Sequence, residues 1–126
     1  MAADDGLAEL RAEIDAFYQG FGQPDSLMSA FRSAALIVPL DEDGRFYTST
    51  FGELDWMCGF TRIEELARYL AARGKVAPTE LRFHTVFGWR IVDDLAAGRD
   101  RPTGVVVDIA GASPMAFPPV IAGAVV

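Results

Sequence analysis

The sequence predicts an α+β domain, with a mixed β-sheet of about five or six strands packed with about four helices. Three observations lead there. Two helical segments with apolar periodicity occupy about residues 7–33, and a strand–turn–strand unit follows them. Helical and strand-like segments then alternate to about residue 119. At 126 residues and 51% hydrophobic, a single domain spanning 1–126 is expected, with enough apolar surface for a real core.

Leu7, Leu10, Ile14 and Phe17 recur at helical spacing, with Glu9, Arg11, Glu13 and Asp15 on the remaining face. That helix should stop near Gly20-Phe21-Gly22-Gln23-Pro24. A second, shorter helix carries Leu27, Met28, Ala30 and Phe31, with Asp25 or Ser26 as its cap. Ala34 to Leu40 is a nearly unbroken apolar run, which predicts a strand covered on both faces. Pro39 near its end implies an edge position or an early finish to the pairing.

Asp41-Glu42-Asp43-Gly44 reads as the hairpin connection, with Gly44 free to take a positive φ. The return strand covers about Arg45 to Thr50. Glu53 to Phe60 alternates, so Leu54, Trp56, Cys58 and Phe60 are predicted to face the core together. Thr61-Arg62-Ile63-Glu64 fits a capping box opening the next helix. Ile63, Leu66, Ala67, Leu70 and Ala71 form its stripe, and Gly74 suits its left-handed C′ position.

Leu81 to Val86 predicts a short strand, followed by a helix over about Phe87 to Ala97 with Phe87, Ile91 and Leu95 on one face. Gly104 to Ile109 is a strongly β-branched strand, and Met115-Ala116-Phe117 a last short one before Pro118-Pro119. Strands linked through helices in this way can pair in parallel.

Charge and composition exclude several function classes. The net charge of −7 argues against a nucleic-acid partner, whose phosphates need Lys and Arg, and against docking on an anionic membrane. Lys75 is the one lysine among 11 basic residues, a bias that points to a GC-rich coding genome. The single cysteine, Cys58, rules out an internal disulfide and a thiolate zinc cluster. Asp4, Asp5 and Glu9 give the N-terminus the wrong charge for a secretory signal, and no apolar run is long enough to span a bilayer. A soluble cytoplasmic protein is expected.

The strand Ala34-Ala35-Leu36-Ile37-Val38-Pro39-Leu40 with its Gly44 turn, and Phe46 to Phe60 leading into a helix, resemble the N-terminal domain of the SseB family of bacterial proteins. Val86-Phe87-Gly88-Trp89-Arg90-Ile91-Val92, Gly104 to Asp108 and Met115 to Pro119 extend the resemblance over most of the chain. These motifs are structural. The resemblance implies an α+β fold and a bacterial origin, and it brings no catalytic residues. Family members can carry a further C-terminal domain without counterpart in this sequence.

No residue set with catalytic, cofactor or metal-binding spacing emerges. Cys58 and His84 would need the fold to join them, yet Cys58 has the inward strand parity and His84 the parity opposite Phe83. Asp41, Glu42 and Asp43 fail the calcium-loop template and read as a solvated turn. Gly20-Phe21-Gly22 lacks the strand-to-helix context of a phosphate loop, Asp93 and Asp94 diverge on a helix, and Gly111 to Pro114 reads as a turn.

What remains is surface. Trp89 lies off the Phe87, Ile91, Leu95 stripe and beside Arg90, a residue pair enriched at interfaces. The segment 118–126 carries no charged side chain and is expected to dock on its own domain or on another chain. The leading expectation is a non-enzymatic protein-binding or homo-oligomerising module with Trp89, Arg90, Phe117, Val120 and Ile121 as candidate interface residues. A small-molecule sensor or cryptic enzyme is the alternative, with Tyr47, Asp55, His84, Arg90 and Asp108 lining a pocket between helices and sheet. A third reading, from the bacterial resemblance alone, is an immunity or secretion-linked accessory protein.

Overall fold

Two amphipathic helices open the chain. In the computed structural model, which describes residues 5–74 and 82–119, α1 spans Leu7–Tyr18 and α2 spans Pro24–Ser33. The apolar stripe of α1 turns inward as expected, with Leu10 and Ile14 buried. The Asp5 carboxylate accepts the Leu7 N–H, and the Asp5 carbonyl accepts the Ala35 N–H, tying the start of α1 to the first strand. α2 starts before the expected Asp25 or Ser26 cap. Pro24 occupies its first turn, where a missing N–H costs nothing.

β1 (Ala35–Pro39) pairs antiparallel with β4 (Phe83–Phe87), forming a two-stranded sheet. Pro39 ends β1, and its carbonyl still accepts the Tyr47 N–H. In the acidic turn, the Asp41 carboxylate accepts the N–H groups of Asp43 and Arg45, and Gly44 takes φ +79°. The return strand is shorter than expected. Phe46 makes one bridge to Leu40, and β2 proper is Thr48–Phe51. A tight turn with positive φ at both Gly52 and Glu53 leads into β3 (Leu54–Gly59).

A four-stranded mixed sheet runs in the order β2-β3-β5-β6, with β5 at Thr103–Val107 and β6 at Met115–Phe117. β3 and β5 are parallel, and both other contacts are antiparallel. The two sheets are stitched together by one reciprocal pair: Ile37 and Phe60 exchange backbone hydrogen bonds of 2.9 and 2.8 Å.

Both faces of this assembly are covered. On one side α1, α2 and the segment after β4 bury Phe31, Leu36, Val38, Met57, Ile91, Val105 and Val107. On the other, α3 (Ile63–Ala72) covers Cys58, Phe60 and Val106 with Leu66, Tyr69 and Leu70. The expectation that one parity of β3 faces the core is therefore too simple. Cys58 and Phe60 do face α3, but Met57 and Asp55 on the opposite parity are buried as well. Trp56 lies over Gly104, its neighbour on β5, where an added Cβ would come within 2.6 Å of the ring.

Two further expectations change. Thr61 does not cap α3: its hydroxyl and N–H both donate to Asp108, and the N-cap position is Arg62 without a side-chain bond. Gly74 does close α3 in the left-handed conformation, at φ +72°. The strand predicted from Leu81 to Val86 covers Phe83–Phe87, with Leu81 outside the described residues. Phe87 thus ends a strand instead of starting a helix. The helical turn α4, Gly88–Arg90, continues as a π-helix, Ile91–Ala96, closed by an Ala97 N–H bond to the Val92 carbonyl.

Gly88 is fixed by close packing: a Cβ there would lie 2.0 Å from the Phe31 carbonyl oxygen. Gly88→Ala must push α4 away from α2 and should lower stability by about 1–3 kcal/mol in urea unfolding. Gly98→Ala, whose nearest obstacle is the Asp94 carbonyl at 3.2 Å, should cost much less.

Candidate functional site

Where β4 meets α4, large apolar side chains stay at the surface. Phe83 (40% exposed), Phe87 (45%) and Trp89 (42%) follow one another along seven residues that contain no acid. The geometry explains the exposure. Among the described residues β4 has a neighbour on one edge only, and Gly88 seats the chain against α2 so that Trp89 emerges beyond the packed interface. Arg90 lies at the surface with its Nε 3.6 Å from Asp94. Asp93 on the next turn takes both terminal nitrogens of Arg32, at 3.2 and 2.8 Å, which fastens α4 to α2. Asp93 accordingly sits below the usual carboxylate range, chiefly through that hydrogen bond.

Among the other expected interface residues, Phe117 belongs to the interior. It is 5% exposed and stacks on Phe31 with ring centroids 4.1 Å apart. Val120 and Ile121 lie outside the described residues.

The five polar residues proposed for a ligand pocket are not brought together. Tyr47 packs against the α3-side core. His84 is exposed on β4 with its ring edge toward Phe46. Arg90 pairs with Asp94, and Asp108 holds Thr61 at 2.9 and 2.7 Å. Asp108 does so at φ +51°, a left-handed turn directly after β5 that aims its carboxylate back at the chain entering α3. Cys58 and His84 face opposite sides of the sheet, so no Cys–His pair forms.

Asp55 is the exception with a network of its own. Its carboxylate accepts from Thr50 Oγ1 at 2.8 Å and Arg99 Nη2 at 3.1 Å, with Arg101 Nε 3.8 Å away. Arg99 also donates to Thr103, and Arg101 to the Glu53 carbonyl. The Thr50 bond, then the Arg99 bond and the nearby guanidinium charges, hold the Asp55 carboxyl below its ordinary value. This network closes the β2–β3 turn onto the loop entering β5, and it leaves the carboxylate engaged on both oxygens. Sequence reading singled out Asp55 but missed its partners. Arg99 and Arg101 lie more than forty positions away, and only the parallel β3–β5 register brings them near.

Two clefts flank these features. One of about 690 Å³ lies between Met28, Val92, Ala96 and Phe117 on its apolar side and Arg99 and Arg101 on its polar side. A smaller one of about 320 Å³ lies beside Asp108, with Arg11, Arg62 and Arg68 against Asp15 and Glu65. Among the described residues no group of three or more His, Cys, Asp or Glu side chains could hold a metal ion, and no helix is long and apolar enough to cross a membrane. No family model matches the chain, and no curated protein or solved structure matches it either.

The lowered Asp55 value sets an acid limb. A carboxylate with a depressed folded pKa adds stability above the ordinary value of about 3.9, and that stability is lost as pH falls through the folded value. Asp55→Asn should therefore be less stable than the parent at pH 7, and the gap should shrink as pH drops below about 4 in urea titrations. Burial pushes the Cys58 thiol up, only partly offset by Tyr69 and Arg73. Native protein should react slowly with a thiol-specific disulfide reagent at neutral pH and rapidly once unfolded.

Proposed function

We propose that the chain is a non-enzymatic protein-binding or homo-oligomerising module of the SseB-like type, and that it works through the surface formed by β4 and α4. The observation that carries this reading is the row Phe83, Phe87 and Trp89, each two-fifths or more exposed, on a strand paired along one edge. Isolated surface apolar groups need no explanation, but an aromatic series on an open sheet edge, followed by Arg90, has the make-up of a contact surface. The polar groups support the same reading from the other side. Asp55, Asp93 and Asp108 each spend their carboxylates on structural bonds within the chain. A cytoplasmic setting fits the unpaired, buried Cys58.

The cleft beside Arg99 and Arg101 favours a second reading, a small-molecule sensor. Its apolar wall and arginine rim would suit a compact ligand with an anionic group. Thermal-shift screening against metabolites separates the two, since a ligand there should raise the melting temperature in proportion to its occupancy.

For the leading reading, light scattering on the purified chain should return a dimer or a copurified protein. Trp89→Ala should weaken that association by about 2 kcal/mol, roughly thirtyfold in Kd, with an unchanged far-UV spectrum. A strict monomer that retains no partner would count against the module altogether.

A further inference from the structure

We propose that the partner of β4 is a second copy of this chain, joined edge to edge about a two-fold axis at Thr85. The inference rests on the binding-module reading above and names its occupant.

The hydrogen-bond phase of β4 shows which of its groups face away from β1, an edge without a partner strand among the described residues. The Leu40 N–H donates to the Arg82 carbonyl and the Gly88 N–H to the Ala34 carbonyl, both in the register of the β1–β4 ladder. In an antiparallel ladder alternate residues turn their backbone groups to one neighbour and then to the other. Arg82, His84, Val86 and Gly88 therefore face β1. Phe83 and Thr85 present their N–H and carbonyl groups outward and Phe87 its N–H, none of these three N–H groups having a hydrogen-bond partner among the described residues, while the Phe87 carbonyl stands at the N-cap of α4.

The outward residues of that edge read the same in both directions: Phe83, Thr85 and Phe87 place an aromatic at each end and a threonine at the centre. Antiparallel pairing with a second copy, centred on Thr85, sets Thr85 against Thr85 and Phe83 against Phe87. In this register Thr85 exchanges both bonds with its copy, and each Phe87 N–H meets a Phe83 carbonyl, so the register that matches side chains also sets these donors against acceptors. Phe83, Thr85 and Phe87 lie on the face of Ala35, Ile37 and Pro39, their partners across the ladder. The pairing would thus lay the exposed rings of both copies side by side in one apolar row across the seam.

Charge permits the approach. Residues 82–92 hold no acid, and pairing about Thr85 keeps the two Arg82 residues about 20 Å apart, beyond the screening distance in physiological salt. The other open edges are worse templates. β6 is three residues long and bracketed by Pro114 and Pro118, a usual guard against edge pairing. β2, Thr48-Ser49-Thr50-Phe51, would set its one aromatic against a threonine. β4 carries no lysine, proline or acid to protect it.

Thr85→Pro is the direct test, because it removes an outward N–H and leaves the bonds to β1 intact. The parent chain should scatter light as a dimer, and Thr85→Pro as a monomer with the parent's far-UV spectrum. Backbone amide exchange in the parent supplies the second measurement. On raising the concentration, the Phe83, Thr85 and Phe87 amides should slow by about tenfold or more, while His84 and Val86, already bonded to β1, change little. A Thr85→Pro protein as dimeric as the parent would overturn the edge pairing and leave the binding-module reading standing on another surface. Equal exchange at the three outward amides across concentrations would overturn it even if Thr85→Pro failed to fold. A parent that is monomeric yet binds a different protein would do the same.

Discussion

Everything about the shape of this surface depends on the reciprocal hydrogen bonds between Ile37 and Phe60. They attach the β1–β4 pair to the end of β3, on the same edge that β2 occupies earlier along that strand. Without that junction β1 would be a hairpin arm packed loosely on helices. With it, Leu36 and Val38 enter the core beneath α2, while Ile37 packs toward α3. β4 is then carried to the outside, bonded to β1 and to no other strand among the described residues. The exposure of Phe83 and Phe87 is thus a consequence of topology, and it persists as long as β1 keeps its place.

The same junction explains why the core divides in two. Parallel strands are stable where both faces are covered, and β3 and β5 meet that condition with α1 and α2 on one side and α3 on the other. β5 is buried along its whole length, which accounts for its run of valines. The polar links then act as clasps at the ends of this pair. Asp55 joins the start of β3 to the loop entering β5, and Asp108 joins the end of β5 to the start of α3. These two carboxylates fix where neighbouring segments begin and end.

Much of this was legible from periodicity. The stripe of α1, the apolar run of β1, the acidic turn with Gly44 and the terminating Gly74 all follow local rules that a sequence states directly, whereas the α3 stripe holds only at Leu66 and Leu70, with Ile63, Ala67 and Ala71 exposed and Tyr69 buried instead. What escaped depended on distant partners. Thr61 has the right spacing for a capping box, yet because β5 ends beside it Asp108 accepts both the Thr61 N–H, which Glu64 would take in such a box, and the Thr61 hydroxyl. Phe87 keeps helical spacing with Ile91, yet pairing with Ala35 holds it in a strand. Met57 breaks the alternation expected of a half-buried strand because α1 and α2 return over that face, and Asp55 because Thr50, Arg99 and Arg101 close around it. For the site, the exposure of Trp89 could be suspected from its angular position, but nothing local showed that β4 would have an open edge. Phe117 misled for the same reason: its place against Phe31 depends on β6 joining β5.

An open edge bearing aromatics is ordinarily a hazard, because it invites pairing with any extended chain. Proteins that keep one without a protecting lysine, proline or bulge either cover it or use it. Here the guard is present on β6 and missing on β4, in a chain whose excess of acid lies away from residues 82–92. A net charge of −7 discourages close approach of like chains everywhere except at a patch without acid, since charge is felt over only about 8 Å in physiological salt. Long-range repulsion combined with a neutral aromatic strand therefore restricts association to one place and one orientation. Selectivity of that kind comes from where the charges are absent as much as from where the rings are exposed.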